Sequence, residues 1–149
     1  MPPDYFDKAL SKTMQNERTG HLLRNAASSG DIGTVRKLLA EDADVNDRDS
    51  FNNTALLYAA KHGKFECVRL LIEHGADTNI ANENGYTPLI CAAIIGAENV
   101  VGDLLKAGAD VQCRLKDDKS QDNSTALSLA RYRCRSEVVN LLISYGATE

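Results

Sequence analysis

The chain has 149 residues, 43% hydrophobic and 26% charged, which fits one globular domain and argues against a disordered chain. Its longest apolar run, Leu89–Ile95, is far shorter than the roughly eighteen residues a membrane helix needs, so no membrane role is expected. A formal charge of −4 is too small to turn the whole surface toward nucleic acid, although it is unevenly spread: residues 114–135 carry Arg114, Lys116, Lys119, Arg131, Arg133 and Arg135 against Asp117, Asp118 and Asp122.

Residues 1–18 form an N-terminal extension. Met1–Asp7 has neither a basic nor an apolar leader segment, so secretion is not expected. Tyr5, Phe6, Ala9, Leu10 and Met14 fall on one amphipathic helical stripe that either packs on the residues after 18 or stays mobile.

From residue 19 the chain repeats itself. A shift of 33 residues aligns Gly30, Gly63 and Gly96, then Ala26, Ala59 and Ala92, then Val35, Val68 and Val101, then Leu38, Leu71 and Leu104. A further shift of 38 brings in Thr125, Ala130, Val139, Leu142 and Gly146, so a five-residue insertion precedes the last unit. Four units are expected, at 19–48, 49–81, 82–114 and 115–149.

Within a unit the residues dictate helix, turn, helix. Thr87-Pro88-Leu89 opens a helix, because proline at the first helical position lacks only an N–H that has no partner there. Leu89, Ala92 and Ala93 share one face, and the alanines let a neighbouring helix approach closely. Gly96 ends it in the left-handed conformation. Val101, Leu104 and Leu105 repeat the pattern on a second helix, closed by Gly108. Helices this short are marginal alone in water, so their apolar faces must be covered by adjoining units, and the stack is expected to unfold as one block. The segments between units, such as Asp77–Tyr86, are rich in turn residues. The charged stretch Leu115–Asp122 reads as a mobile turn tip.

Thr87-Pro88-Leu89, Ala92-Ala93, Gly96, Val101, Leu104-Leu105 and Gly108-Ala109-Asp110-Val111 resemble the ankyrin repeat, with the match extending over about residues 20–149. The resemblance implies an all-α solenoid of stacked helix-turn-helix repeats with β-turn or hairpin loops between them. One departure is clear: Leu57, Ile90 and Ser128 stand where the family has a histidine after Thr-Pro-Leu. Both ends look like caps, with Asp42 in place of a closing glycine, Arg131 in place of an alanine and Cys134 in place of Gly63 and Gly96.

Function follows as an expectation from the same resemblance: a non-enzymatic interaction module that binds another protein as adaptor, scaffold or inhibitor. Kinase inhibition is the alternative, since the small four-repeat inhibitors of cyclin-dependent kinases are similar in size and repeat number. Partner contacts carried over from the family fall on the turn tips, at Phe51, Asn53, Glu83, Asn84, Tyr86 and Arg114, and on the ends of the first helices, at Lys61, His62, Ile94, Ile95, Tyr132 and Arg133. The residues add a chemical point. Ile94-Ile95 is an apolar pair where the preceding unit has Lys61-His62, and with Phe51 and Tyr86 it has the make-up of an interface hot spot.

No catalytic, cofactor or metal site is expected. Cys67, Cys91, Cys113 and Cys134 lack zinc-ligand spacing and read as free thiols. A Cys67–His62 pair has no orienting third group in sight. Asn52-Asn53-Thr54 and Asn123-Ser124-Thr125 match a glycosylation pattern but read as turns leading into helices. Arg131-Tyr132-Arg133-Cys134-Arg135 suggests nucleic acid only weakly; a solvated end cap or a patch for an acidic protein surface explains it better. The expected protein is a cytoplasmic or also nuclear monomer with no small-molecule substrate.

Overall fold

Thr54, Thr87 and Thr125 are buried in extended backbone just ahead of short apolar segments. Each hydroxyl oxygen accepts a backbone N–H three residues on, from Leu57 at 3.2 Å, Ile90 at 3.3 Å and Ser128 at 3.1 Å. Such caps satisfy donors that a helix start leaves without partners. Leu57 and Ile90, standing where the family has histidine, are core residues. Ser128 instead returns the bond, its Oγ accepting the Thr125 N–H at 2.9 Å to complete a capping box.

The structure, a computed structural model, describes residues 4–116 and 123–149, and these described residues form eight helices. They are α1 (Asp4–Ser29), α2 (Ile32–Ala40), α3 (Ala55–Lys61), α4 (Phe65–Glu73), α5 (Pro88–Ile95), α6 (Glu98–Lys106), α7 (Ala126–Tyr132) and α8 (Ser136–Ser144). Consecutive helices pair, then α1, α3, α5 and α7 stack in one row and α2, α4, α6 and α8 in a second. Among the described residues there is no strand, only one antiparallel bridge between Arg114 and Thr125. None of the described helices is long and apolar enough to cross a membrane.

The core runs continuously along the stack at the repeat period. Leu23, Leu56, Leu89 and Leu127 occupy one ridge of the first row, and Ala27, Ala60 and Ala93 bring adjoining helices close together. At the fourth unit Arg131 takes the alanine position. It pairs there with Glu149.

Each helix ends on a residue of positive φ followed by a backbone bond back to the last turn, as in Ala109 N–H to Leu104 at 3.0 Å and Arg135 N–H to Ala130 at 2.8 Å. Six of these positions are glycine; Asp42 at φ 59° and Cys134 at φ 55° adopt the same conformation at the two end units.

A second periodic device joins the units. Asn46 accepts the Asp77 N–H at 2.8 Å and donates to the Gly75 carbonyl; Asn79 accepts from Asp110 at 2.7 Å and donates to Gly108 at 3.2 Å. Gln112 continues the series by donating to the Gly146 carbonyl at 3.1 Å. One amide per unit thus satisfies a donor and an acceptor of the next.

α1 runs without a break through the point where extension and first unit meet. Its side chains are exposed from Asp7 to Arg18, and burial begins at Thr19 and Gly20. Leu10 and Met14 are 58% and 67% exposed, so this part of the stripe does not pack on the first unit. Gly20 instead lets the Asp47 carboxylate approach α1, where it pairs with Arg24. At the other end, most of the segment expected to be a mobile tip, 117–122, lies outside the described residues. Leu115 is a correction to that expectation: it is buried, and its N–H donates to the Ser124 carbonyl at 2.9 Å.

Candidate functional site

The turn tips are built on two acceptor side chains one repeat apart. Asp49 Oδ1 accepts the backbone N–H of Phe51 at 2.9 Å and of Asn53 at 2.8 Å, while Oδ2 accepts the Asn53 amide at 3.1 Å and the Tyr58 hydroxyl at 2.8 Å. In the next unit Asn82 Oδ1 accepts from Asn84 at 3.1 Å and Tyr86 at 3.0 Å. The two tips are joined because Asn82 Nδ2 donates to Asn53 Oδ1 at 3.0 Å and the Glu83 N–H donates to the Phe51 carbonyl at 3.0 Å. Leu115 holds the equivalent place in the third tip, where an apolar side chain enters the core instead of tying the loop.

Electrostatics at the first tip follow from this wiring. Burial raises the Asp49 pKa, but the donors from Asn53, Tyr58 and Phe51 outweigh it and hold the carboxyl below its ordinary 3.8. Burial and the neighbouring Asp49 carboxylate push the Tyr58 phenol up. Tyr58 therefore donates to a fixed carboxylate and helps hold the tip that carries Phe51.

Between these tips and the ends of the first helices lies an open groove of about 660 Å³. Phe51, Asn53, Asn82, Asn84 and Tyr86 line it from the tips; Leu57, Tyr58, Lys61 and His62 from α3 and its end; Cys91, Ile94 and Ile95 from α5; and Arg133 from the end of α7. It brings together nine of the twelve residues expected at the surface: Phe51, Asn53, Lys61, His62, Asn84, Tyr86, Ile94, Ile95 and Arg133. The isoleucine pair divides. Ile94 is half-buried and packs against the core, whereas Ile95 is 38% exposed beside a more open Phe51 at 62%.

Three expected residues stand elsewhere. Glu83 and Arg114 line a second groove with Asn79, Asp110 and Lys116, and the Arg114 guanidinium donates to the Asn123 carbonyl at 3.1 Å. Tyr132 is 81% exposed, outside both grooves. Sequence reading missed Leu57, Tyr58, Asn82 and Cys91. Tyr58 looks like a core position among Leu56, Leu57 and Ala59, and only its hydroxyl's reach to Asp49 reveals the second role.

All four cysteines are free. Cys67 is buried and its thiol is raised mainly by that burial; Cys91 lines the groove, yet burial pushes its thiol up to about 11, which keeps it protonated at neutral pH. His62 Nδ1 lies 2.9 Å from the Tyr58 carbonyl and 3.3 Å from the Ser28 hydroxyl. Among the described residues no group of three or more His, Cys, Asp or Glu side chains converges on a metal site.

A family model described as ankyrin repeats (3 copies) matches residues 23–115, more than half of the chain. No curated protein matches it.

Proposed function

The chain belongs to the ankyrin repeat family, and we propose that it is a non-catalytic module which binds another protein through the groove between its turn tips and first helices. Ankyrin repeats are generally protein–protein interaction modules. The observation that carries the reading to this surface is the pairing of exposed Phe51 and Ile95 with half-buried Tyr86 and Ile94, on a frame fixed by the Asp49 and Asn82 hydrogen bonds. An apolar centre held rigid and rimmed by polar groups loses little entropy on docking. Within that reading the chain acts as adaptor, scaffold or inhibitor, as a monomer, in the cytoplasm or also in the nucleus.

The test is co-precipitation from cell extract with the parent chain and with a Phe51→Ala, Ile95→Ser variant, compared by quantitative mass spectrometry after circular dichroism confirms that both are folded. Partners recovered by the parent should be depleted with the variant. Equal recovery by a folded variant would place binding elsewhere.

A further inference from the structure

Asp and Glu outnumber Lys and Arg by 21 to 17 in this chain, yet none of the described Asp or Glu residues lines the groove, while Lys61, Arg133 and His62 do. The two permanent cations are also unspent. Among the described residues Lys61 and Arg133 enter no ion pair and donate no side-chain hydrogen bond, whereas Arg24 pairs with Asp47, Arg69 with Asp103 and Arg131 with Glu149. Arg135, next but one to Arg133, is engaged as well: its Nε donates to the Ile94 carbonyl at 3.3 Å and its chain packs over Gly96. The Asp49 carboxylate of the first tip is already occupied by donors from Phe51, Asn53 and Tyr58. The groove therefore offers a positive, apolar lining on a molecule of net negative charge.

Resting on the binding reading above, we propose that the groove accepts a segment of a partner protein in which a bulky apolar side chain is flanked by aspartate or glutamate. The apolar side chain sits against Phe51, Tyr86, Ile94 and Ile95, and the carboxylates meet Lys61 and Arg133. At about 660 Å³ the groove lies within the roughly 300–1,000 Å³ of pockets that enclose a compact ligand, which suits a short segment. Nucleic acid fits less well. A polyanion needs a longer basic track than Lys61 and Arg133 supply within the groove. Charge complementarity of this kind speeds encounter and selects partners, and it weakens with salt.

The test uses fluorescence anisotropy with the full chain and a short fluorescein-labelled peptide in which leucine and phenylalanine stand among glutamates. Companion probes replace the glutamates by lysine, replace the apolar residues by serine, or substitute a single-stranded thymidine oligonucleotide. We expect binding of the glutamate peptide alone. Lys61→Glu combined with Arg133→Glu should weaken it by about tenfold or more and flatten its salt dependence. The proposal is overturned if the glutamate peptide does not bind, if the lysine peptide or the oligonucleotide binds as well, or if the folded charge-reversed chain binds undiminished. Co-precipitation separates the two levels. Partners lost with Phe51→Ala, Ile95→Ser but retained at full strength after charge reversal leave the binding surface standing and remove the acidic-segment proposal; partners unaffected by either variant remove both.

Discussion

Replacing Gly85 separates two physical reasons for a glycine in the second turn tip. Its φ is +80°, where a residue with a Cβ loses roughly 1–2 kcal/mol unless, like asparagine, it tolerates the left-handed region. A Cβ there would also stand 2.6 Å from the Lys116 backbone nitrogen and 3.4 Å from the Leu115 carbonyl carbon. That segment cannot move aside freely, because Leu115 is buried and its N–H is held by the Ser124 carbonyl. Asn52, the equivalent residue one unit earlier, adopts φ +62°, so a tip in this chain accepts asparagine conformationally. Gly85→Asn therefore keeps the crowding and removes most of the conformational penalty. Overpacking of this kind costs about 1–3 kcal/mol, and the left-handed strain adds about 1–2 for Gly85→Ala. At about 2–4 °C per kcal/mol for a chain of this size, Gly85→Asn should lower Tm by roughly 2–12 °C and Gly85→Ala by more. Thermal unfolding followed by circular dichroism measures both. A Gly85→Asn chain that melts with its parent would show that residues 115–116 do not rest against the tip bearing Asn84 and Tyr86.

Asn79→Ala removes two inter-unit hydrogen bonds at an exposed site where water replaces part of the loss, so we expect about 1–2 kcal/mol, and an unchanged denaturant midpoint would reject the stitching role. Thiol titration in the native state should find Cys134 fast and Cys67 and Cys91 slow, with four thiols after unfolding; prompt reaction of Cys91 would contradict its burial and raised pKa. Because the Asp49 carboxyl is lowered on folding, it contributes stability above its ordinary value of 3.8 and that contribution fades as pH falls through the lower folded value. Asp49→Asn should therefore lose less Tm than the parent on acidification across this range, and equal acid sensitivity would show that the carboxylate is not held as described.

The stack was legible because its core is chemically repetitive. Leu23, Leu56, Leu89 and Leu127 keep one residue type at one register, and the same holds for the helix-ending glycines, so periodicity alone locates the helices. The replacement of glycine by Asp42 and Cys134 at the two ends was readable from register too. Side-chain roles that vary in chemistry were hidden. Asp49, Asn82 and Leu115 share a position but tie, tie and bury, and Leu115 looked like part of a charged loop because Lys116, Asp117, Asp118 and Lys119 follow it in sequence. Asn79 stands in a segment that reads as a turn, yet neither it nor Asn46 or Gln112 has positive φ; their side chains do the joining. At the groove, position by position transfer found the residues along its open edge. It missed Tyr58, and it could not see that Glu83 and Arg114 turn to a different groove or that Ile94 is half-buried while Ile95 is exposed.

The most direct test of the binding surface is the dissociation constant of a captured partner for the parent and for the folded Phe51→Ala, Ile95→Ser chain. Burying each side chain against a partner contributes about 1.5–3 kcal/mol, so their joint loss should weaken binding by roughly a hundredfold or more. A variant that keeps its helical spectrum and its melting transition and still binds at the parent's strength would contradict the assignment.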